Sequence, residues 1–263
     1  MGGNRITRRR FLGVSAAAAS SLTLAGCGQF DFLGQRDNEV RGVLERANDL
    51  TYRVQRALLG DDWLAREFSA SEIRQGQRPN GSTDPTTPEY MFLQQRNFAD
   101  YRLEVGGLVD TPMSFSLEEL RNMPQRTQIT RHDCVEGWSC IAKWSGVPLA
   151  HVLDQVRVRP QARYVVFRCF DNIERGLTGD VLYYESCDLI DARHPQTILA
   201  HAMNDAALPV ANGAPLRVRI ERQLGYKMAK YVSSIELVDS FADIAGGKGG
   251  YWEDRGYDWY AGI

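Results

Sequence analysis

The sequence predicts one mixed α+β domain behind an N-terminal targeting segment. Three observations carry this. Runs rich in Val, Ile, Tyr and Phe recur along the chain between turn residues, and fewer stretches show helical spacing. The 263 residues, 43% of them apolar, supply a sizeable core. No linker divides the body after residue 75, and no internal repeat is present.

Charge narrows the function classes. The net charge is −2, and residues 1–26 hold four arginines and no acids, so the remainder is more acidic than that figure. A mildly acidic body lacks the basic patch that nucleic acid needs, so nucleic acid is not an expected partner. No run approaches the roughly 18 apolar residues of a spanning helix. Arg8, Arg9, Phe11 and Leu12 precede a small-residue apolar run, Val14 to Leu24. This resembles a twin-arginine export signal spanning 1–26, a route that moves folded proteins to the bacterial periplasm. Leu24, Ala25, Gly26 and Cys27 resemble a lipoprotein cleavage box, with Cys27 lipidated and the domain tethered to a membrane; an ordinary cut near Ala25 is the alternative.

Residues 27–74 read as a tether and an amphipathic helix. Val40, Val43, Leu44, Ala47, Leu50, Val54 and Leu58 recur at helical spacing, and packing of that stripe onto the body is expected. Residues 75–263 form the predicted main domain. It opens with a loop over 75–90, dense in Pro, Gly, Asn and Thr, which is either part of a site or a surface linker. Tyr101 to Val105 alternates as a strand and ends at Gly106 and Gly107. Ser116 followed by Glu119 is a capping box. Thr127 to Thr130 is a strand leading to Cys134, and Pro148 opens a helix reaching Val156. Arg163–Cys169, Leu182–Tyr184, Ile198–Met203, Leu216–Ile220 and Tyr231–Val238 are further strands, with a turn at Asn212 to Pro215. The Gly-rich segment 246–250 lacks the spacing of a phosphate loop.

Arg131, His132, Asp133 and Cys134, then Gly137, Trp138 and Ser139, place a thiol at a strand end beside cations. A nearby cation favours thiolate, the form that binds a soft metal. Cys134 is therefore the expected metal ligand. Cys140, six residues on, reads as a buried small hydrophobe. A zinc site from His132, Cys134 and Cys140 lacks the short ligand pair such sites use. Disulfides among Cys134, Cys140, Cys169 and Cys187 remain open for an exported protein. His151, His194 and His201 read as structural or surface residues. Docking of the aromatic tail (Tyr251, Trp252, Tyr257, Trp259, Tyr260) onto the body is expected; a partner-binding patch is the sharper alternative.

Four pieces in order carry a family resemblance: Cys134 to Ser139, Trp144 to Leu149, Asn212 to Arg217, and Gly225 to Lys230. Together they resemble the sulfite-oxidase-fold molybdopterin enzymes, in the bacterial branch that contains the periplasmic methionine-sulfoxide reductase catalytic subunit. The resemblance implies a mixed sulfite-oxidase-like molybdopterin-binding fold, a single domain without the C-terminal immunoglobulin-like dimerisation domain, and so a monomeric catalytic subunit. It implies molybdenum-molybdopterin as cofactor, with Cys134 as catalytic metal ligand. Asn80, Cys169, Asn212, Arg217, Met228, Ala229 and Lys230 would bind the pterin and its phosphate. Cys169 stands where the reductase branch has Thr, and a thiol is the weaker hydrogen-bond donor. Glu136 to Trp138 replaces the Arg-bearing segment of sulfite oxidases, which disfavours sulfite. No haem-attachment Cys-x-x-Cys-His is present. The implied electron partner is a membrane b-type cytochrome, and the implied reaction is two-electron oxygen-atom transfer, reducing an S-oxide or N-oxide small-molecule substrate. The competing readings are a non-catalytic lipoprotein module on the same fold, sulfite-oxidase-type oxidation, and a thiol redox protein using Cys134 and Cys140.

Overall fold

The computed structural model describes residues 39–176 and 179–263. The export signal and Cys27 lie outside the described residues. Contacts divide the chain at Leu50, and the unit from Thr51 to Ile263 contains both sheets.

The first sheet has the order β2-β1-β10-β5-β6, from Met113–Ser116, Arg102–Gly107, Val232–Val238, Tyr164–Gly176 and Gly179–Asp188. Only the β1–β10 pair in it is parallel. The second sheet runs β3-β4-β7-β8, from Arg126–Cys134, Trp138–Pro148, Ile198–Met203 and Ala206–Ala207, with β9 (Arg217–Arg219) pairing β7. The expected strands all form. β5 and β6 extend well beyond their predicted ends, because they pair with each other as a long hairpin arm up to Gly176 and Gly179. The short strand β2 carried no alternation long enough to be read.

Among the described residues five α-helices accompany the sheets: α1 (Glu39–Leu59), α2 (Pro88–Gln95), α3 (Leu117–Asn122), α4 (Leu149–Val156) and α5 (Leu189–Arg193). In α3 the capping box is formed: Ser116 Oγ accepts from the Glu119 amide at 3.1 Å, and Glu119 accepts from the Ser116 amide at 2.7 Å. α4 buries Leu149, Val152, Leu153 and Val156, one stripe at helical spacing. That stripe joins the main core with Leu103 and Val105 of β1, Val165 to Phe167 of β5, and Ile235 and Leu237 of β10. A smaller core surrounds Trp144 between β4 and β7, with Ala142, Ile198, Ala200 and Leu208. The tail docks as expected: Trp259 packs edge-on to Tyr164 at 5.4 Å, and Tyr251 lies 5.7 Å from Tyr183.

The α1 helix forms where predicted, but from Thr51 on it presents the opposite face. Its polar side chains dock. Tyr52 OH donates to Asp188 at 2.9 Å, Arg56 pairs with Asp188 and Asp191 at 3.0 and 2.8 Å, and Gln55 accepts from Tyr260 at 2.9 Å. Val54 and Leu58 of the apolar stripe face solvent, Leu58 being 79% exposed. The reason is electrostatic. Asp188 and Asp191 are nearly buried, and carboxylates taken from water need cations and donors, which the polar face brings. Leu58→Gln is therefore expected to change unfolding free energy by less than about 0.5 kcal/mol. Arg56→Ala is expected to cost about 1–3 kcal/mol, because it leaves buried carboxylate oxygens short of a donor. Denaturant unfolding of both variants checks this, and the reverse ranking would contradict the assignment.

Candidate active site

Cys134 ends β3, at the point where the β3–β4 hairpin turns through Gly137. Strand alternation puts Gln128, Thr130, His132 and Cys134 on one face and Arg131 on the other. Arg131 lies exposed and pairs with Asp133 at 2.8 Å, so it does not serve the thiol. The expected activation by flanking cations is thus not what the fold provides. Burial is the dominant influence and pushes the Cys134 thiol up, so deprotonation is left to a bound metal. Cys134 is half-buried and, with Cys140, Cys169 and Cys187, free. Cys140 is buried opposite His132 in the β3–β4 register. Among the described residues no three of His, Cys, Asp or Glu are placed to share a metal, so Cys134 would be a single protein ligand.

The thiol opens onto a cavity of about 140 Å³ built from both sheets. Of the predicted residues, Asn80, Cys134, Met228 and Lys230 line it. Arg217 lies behind, fully buried, its guanidinium donating to the backbone carbonyls of Asn212 at 2.9 Å and Met228 at 3.5 Å. Asn212 and Ala229 are buried beside it, and Cys169 is buried in β5 without reaching the cavity. The 75–90 loop proves to be part of the site. Asn80 reaches the Gly225 carbonyl at 3.5 Å, Ser82 donates to Asp171, and the Ser82 carbonyl accepts from both Lys230 and Tyr231.

Arg217 and Lys230 define the electrostatics. Both are buried, and neither has an ion-pair partner among the described residues. Burial, followed by repulsion from Arg219, lowers Arg217 to about 9. Burial, followed by repulsion from Arg217, lowers Lys230 to about 7. Arg217 Nε has no hydrogen-bond partner. Asp171, linked to Lys230 through Ser82, offsets part of this charge without forming an ion pair, and two adjacent buried cations still carry a desolvation cost that an anionic ligand lowers. Arg217 also stacks over Trp144 at 4.9 Å, while Arg219 covers the same ring at 4.4 Å, so the guanidinium plane is fixed. A planar fork beside a point charge is the donor set a phosphate takes.

Several features escaped sequence reasoning. His132 shares the face of Cys134 but sits in a buried chain: Nδ1 accepts from Arg219 at 2.9 Å, and Arg219 pairs with Glu221, which also accepts from Gln128 at 2.8 Å. Burial holds the imidazole well below its ordinary pKa, and its Nε2 has no partner. Gly225 rests directly on that ring, where a Cβ would overlap Cε1 and Nε2. The cavity wall adds Val135, Glu136, Asp171, Ile173, Tyr183, Tyr226, Trp252 and Tyr257. Glu136 accepts from Trp138 Nε1 at 2.9 Å, and burial raises the Asp171 carboxyl. Only the aromatic crowding of the tail signalled these walls; nothing local marks Asp171 or Tyr183.

Comparison with known proteins gives the chain a family. Residues 90–243 match the family described as oxidoreductase molybdopterin binding domain. A protein of Azospira oryzae carrying the name protein-methionine-sulfoxide reductase subunit YedZ1 is 37% identical over 97% of this chain and 87% of its own. The protein-methionine-sulfoxide reductase catalytic subunit MsrP of Ralstonia nicotianae is 35% identical over 53% of this chain and 44% of its own. The sulfane dehydrogenase SoxCD of Paracoccus pantotrophus superposes on 54% of this chain and 39% of its own, at 22% identity and a TM-score of 0.47. With a family match over most of the body and a relative alike along nearly its whole length, the chain belongs to the molybdopterin-binding oxidoreductases and is a molybdenum-dependent enzyme.

Proposed function

We propose that the protein reduces S-oxides, methionine sulfoxide in particular, at a molybdenum–pterin centre bound in this cavity. The observation that carries the reading is one cavity lined by a free thiol, Cys134, and by the buried Lys230, with Arg217 behind it and neither cation in an ion pair among the described residues. The residues fit the cofactor. Cys134 offers a soft donor for the metal, and Arg217, Lys230 and the backbone at 228–230 offer donors for the phosphate. The bound group supplies two-electron oxygen-atom transfer.

The chain's own residues bind, orient and exclude water. Val135, Ile173, Met228, Tyr226, Trp252 and Tyr257 give the cavity apolar walls, which suit the alkyl substituents of a sulfoxide. Glu136 stands in the wall, paired with Arg78 at 3.3 Å, so among the described residues the wall offers no free cation there for an anion such as sulfite. Overall, one sulfoxide takes up two electrons and two protons to give thioether and water. The relatives' names support this direction.

The electrons come from a membrane-bound haem cytochrome in this reading, and export by the twin-arginine route places the enzyme in the periplasm. The Arg8–Arg9 motif, and Cys27 as a lipid site, support that placement. Among the described residues no helix is long and apolar enough to cross a membrane.

Enzyme purified from a host that makes the pterin is expected to carry near-stoichiometric molybdenum and to oxidise reduced viologen with methionine sulfoxide. Cys134→Ser is expected to lower activity at least about a hundredfold. Metal-free wild-type protein of normal stability would instead support a scaffold. A second test uses Lys230. Its folded pKa, about 7, lies below that of the unfolded chain, so the unfolded chain binds the proton more tightly. Apoprotein stability should therefore rise as pH increases above about 7, relative to holoprotein, in which a phosphate keeps Lys230 charged. Parallel unfolding curves of the two forms across that range would contradict a phosphate at Lys230.

A further inference from the structure

Behind the cavity wall lies a second cluster of charged groups. Lys227 Nζ sits between two carboxylates, donating to Glu185 Oε1 at 2.5 Å and to Glu253 Oε1. All three side chains are withdrawn from solvent, at 0%, 0% and 1% exposure. The remaining lysine surface is covered by the rings of Trp259 and Tyr226, 5.5 and 5.8 Å from Nζ. Glu185 Oε1 takes one more donor, the Ser186 amide at 2.8 Å. Glu185 Oε2 and Glu253 Oε2 are buried with no partner. Gly250 closes the space above, where a Cβ would overlap Glu253 Oε2.

The charges do not balance. One ammonium faces two carboxylates. The other groups turned toward them are Tyr183, Tyr184 and Cys187 of β6, Cys169 of β5, and Tyr226 beside the lysine, none of them cationic. Fully ionised, the cluster would leave one negative charge buried and two acceptor oxygens without a donor. One added proton cures both faults: it neutralises the charge and turns one orphan oxygen into a donor for the other. Burial, then the neighbouring Glu253 carboxylate, raise Glu185 well above its ordinary value, in the direction this requires.

The cluster also joins two parts of the cavity wall. Lys227 follows Tyr226 in the turn Gly225–Lys227, and Glu253 follows Trp252 in the tail. Tyr257, stacked on Trp252 at 5.2 Å, meets Tyr226 edge-on at 5.2 Å. Tyr226 OH donates to the Asp258 carbonyl at 2.6 Å. The three rings stand together in the cavity lining, and the Lys227–Glu253 contact is the charged tie between the elements that carry them.

We propose that Glu185 and Glu253 share one proton across Lys227, and that this neutral latch positions Trp252 and Tyr257 against Tyr226 as the outer wall of the substrate cavity. The positioning half rests on the sulfoxide-reductase reading. The shared proton does not, and is tested without activity.

The test uses holoenzyme with Glu185→Gln, Glu253→Gln and both together, followed by thermal unfolding across a pH series. A glutamine replaces a protonated glutamate in shape and charge, so each single variant should keep the wild-type midpoint near the ordinary carboxylate range. Glu185 binds its proton more tightly folded than unfolded. Wild-type stability from this site is therefore full below the unfolded value and falls as pH rises toward the folded one. Each single variant should flatten that fall. The double variant strands Lys227 without a counter-charge and should unfold at markedly lower temperature. Single variants that lose as much as the double, with the pH slope retained, would overturn the shared proton. For the positioning half, Glu253→Ala should raise KM for methionine sulfoxide severalfold with kcat within about twofold, and Glu253→Gln should restore KM. An unchanged KM in Glu253→Ala would overturn it. A wild type without sulfoxide reduction would instead remove the substrate reading, with the proton result standing.

Discussion

Arg217 and Lys230 are held side by side in the interior without a carboxylate between them, and much of the surrounding structure exists to keep them there. Trp144 fixes the guanidinium plane of Arg217. The carbonyls of Asn212 and Ala211 turn inward as acceptors, and the 75–90 loop folds back so that Ser82 meets Lys230. A protein that buried two cations for stability alone would pair them, as this chain does for Arg219 with Glu221 and Lys227 with Glu185. Leaving these two without an ion pair favours an anion at the back of a cavity whose front wall holds the free thiol of Cys134. On the proposed reading cofactor binding and fold stability are coupled, because ligand charge would complete the electrostatics of the core.

Part of this was legible in the chain. Cys134 and Lys230, singled out from short motifs, line one cavity with Arg217 behind it, and the capping box at Ser116 is a local signal with a local cause. The orientation of α1 was not legible. Its apolar stripe is the stronger periodic signal, yet Tyr52, Gln55 and Arg56 dock, since the partners that decide this, Asp188 and Asp191, lie more than 130 residues away in sequence. The environment of Cys134 misled for a related reason. Arg131 is next to the site in sequence, but strand alternation sends it outward to Asp133, while His132 goes inward to Arg219. Asp171 and Tyr183 were invisible because only the pairing of β5 with β6 brings them to the cavity.

The tail links stability to selectivity. Trp252 and Tyr257 belong to a segment with little regular structure, held largely by side-chain contacts: Glu253 on Lys227, Tyr184 donating to Asp254 at 2.6 Å, Trp259 donating to Ser186 at 2.9 Å, and Arg255 on Glu174. On the proposed reading the inner end of the cavity answers to cofactor charge and the outer end to ring placement.

The most direct test is a crystal structure of the holoenzyme collected at the molybdenum edge. It should show an anomalous peak bonded to Cys134 Sγ and a phosphate on the Arg217 guanidinium and Lys230 Nζ. A metal held elsewhere, or a phosphate-free cation pair beside an ordered cofactor, would contradict the assignment.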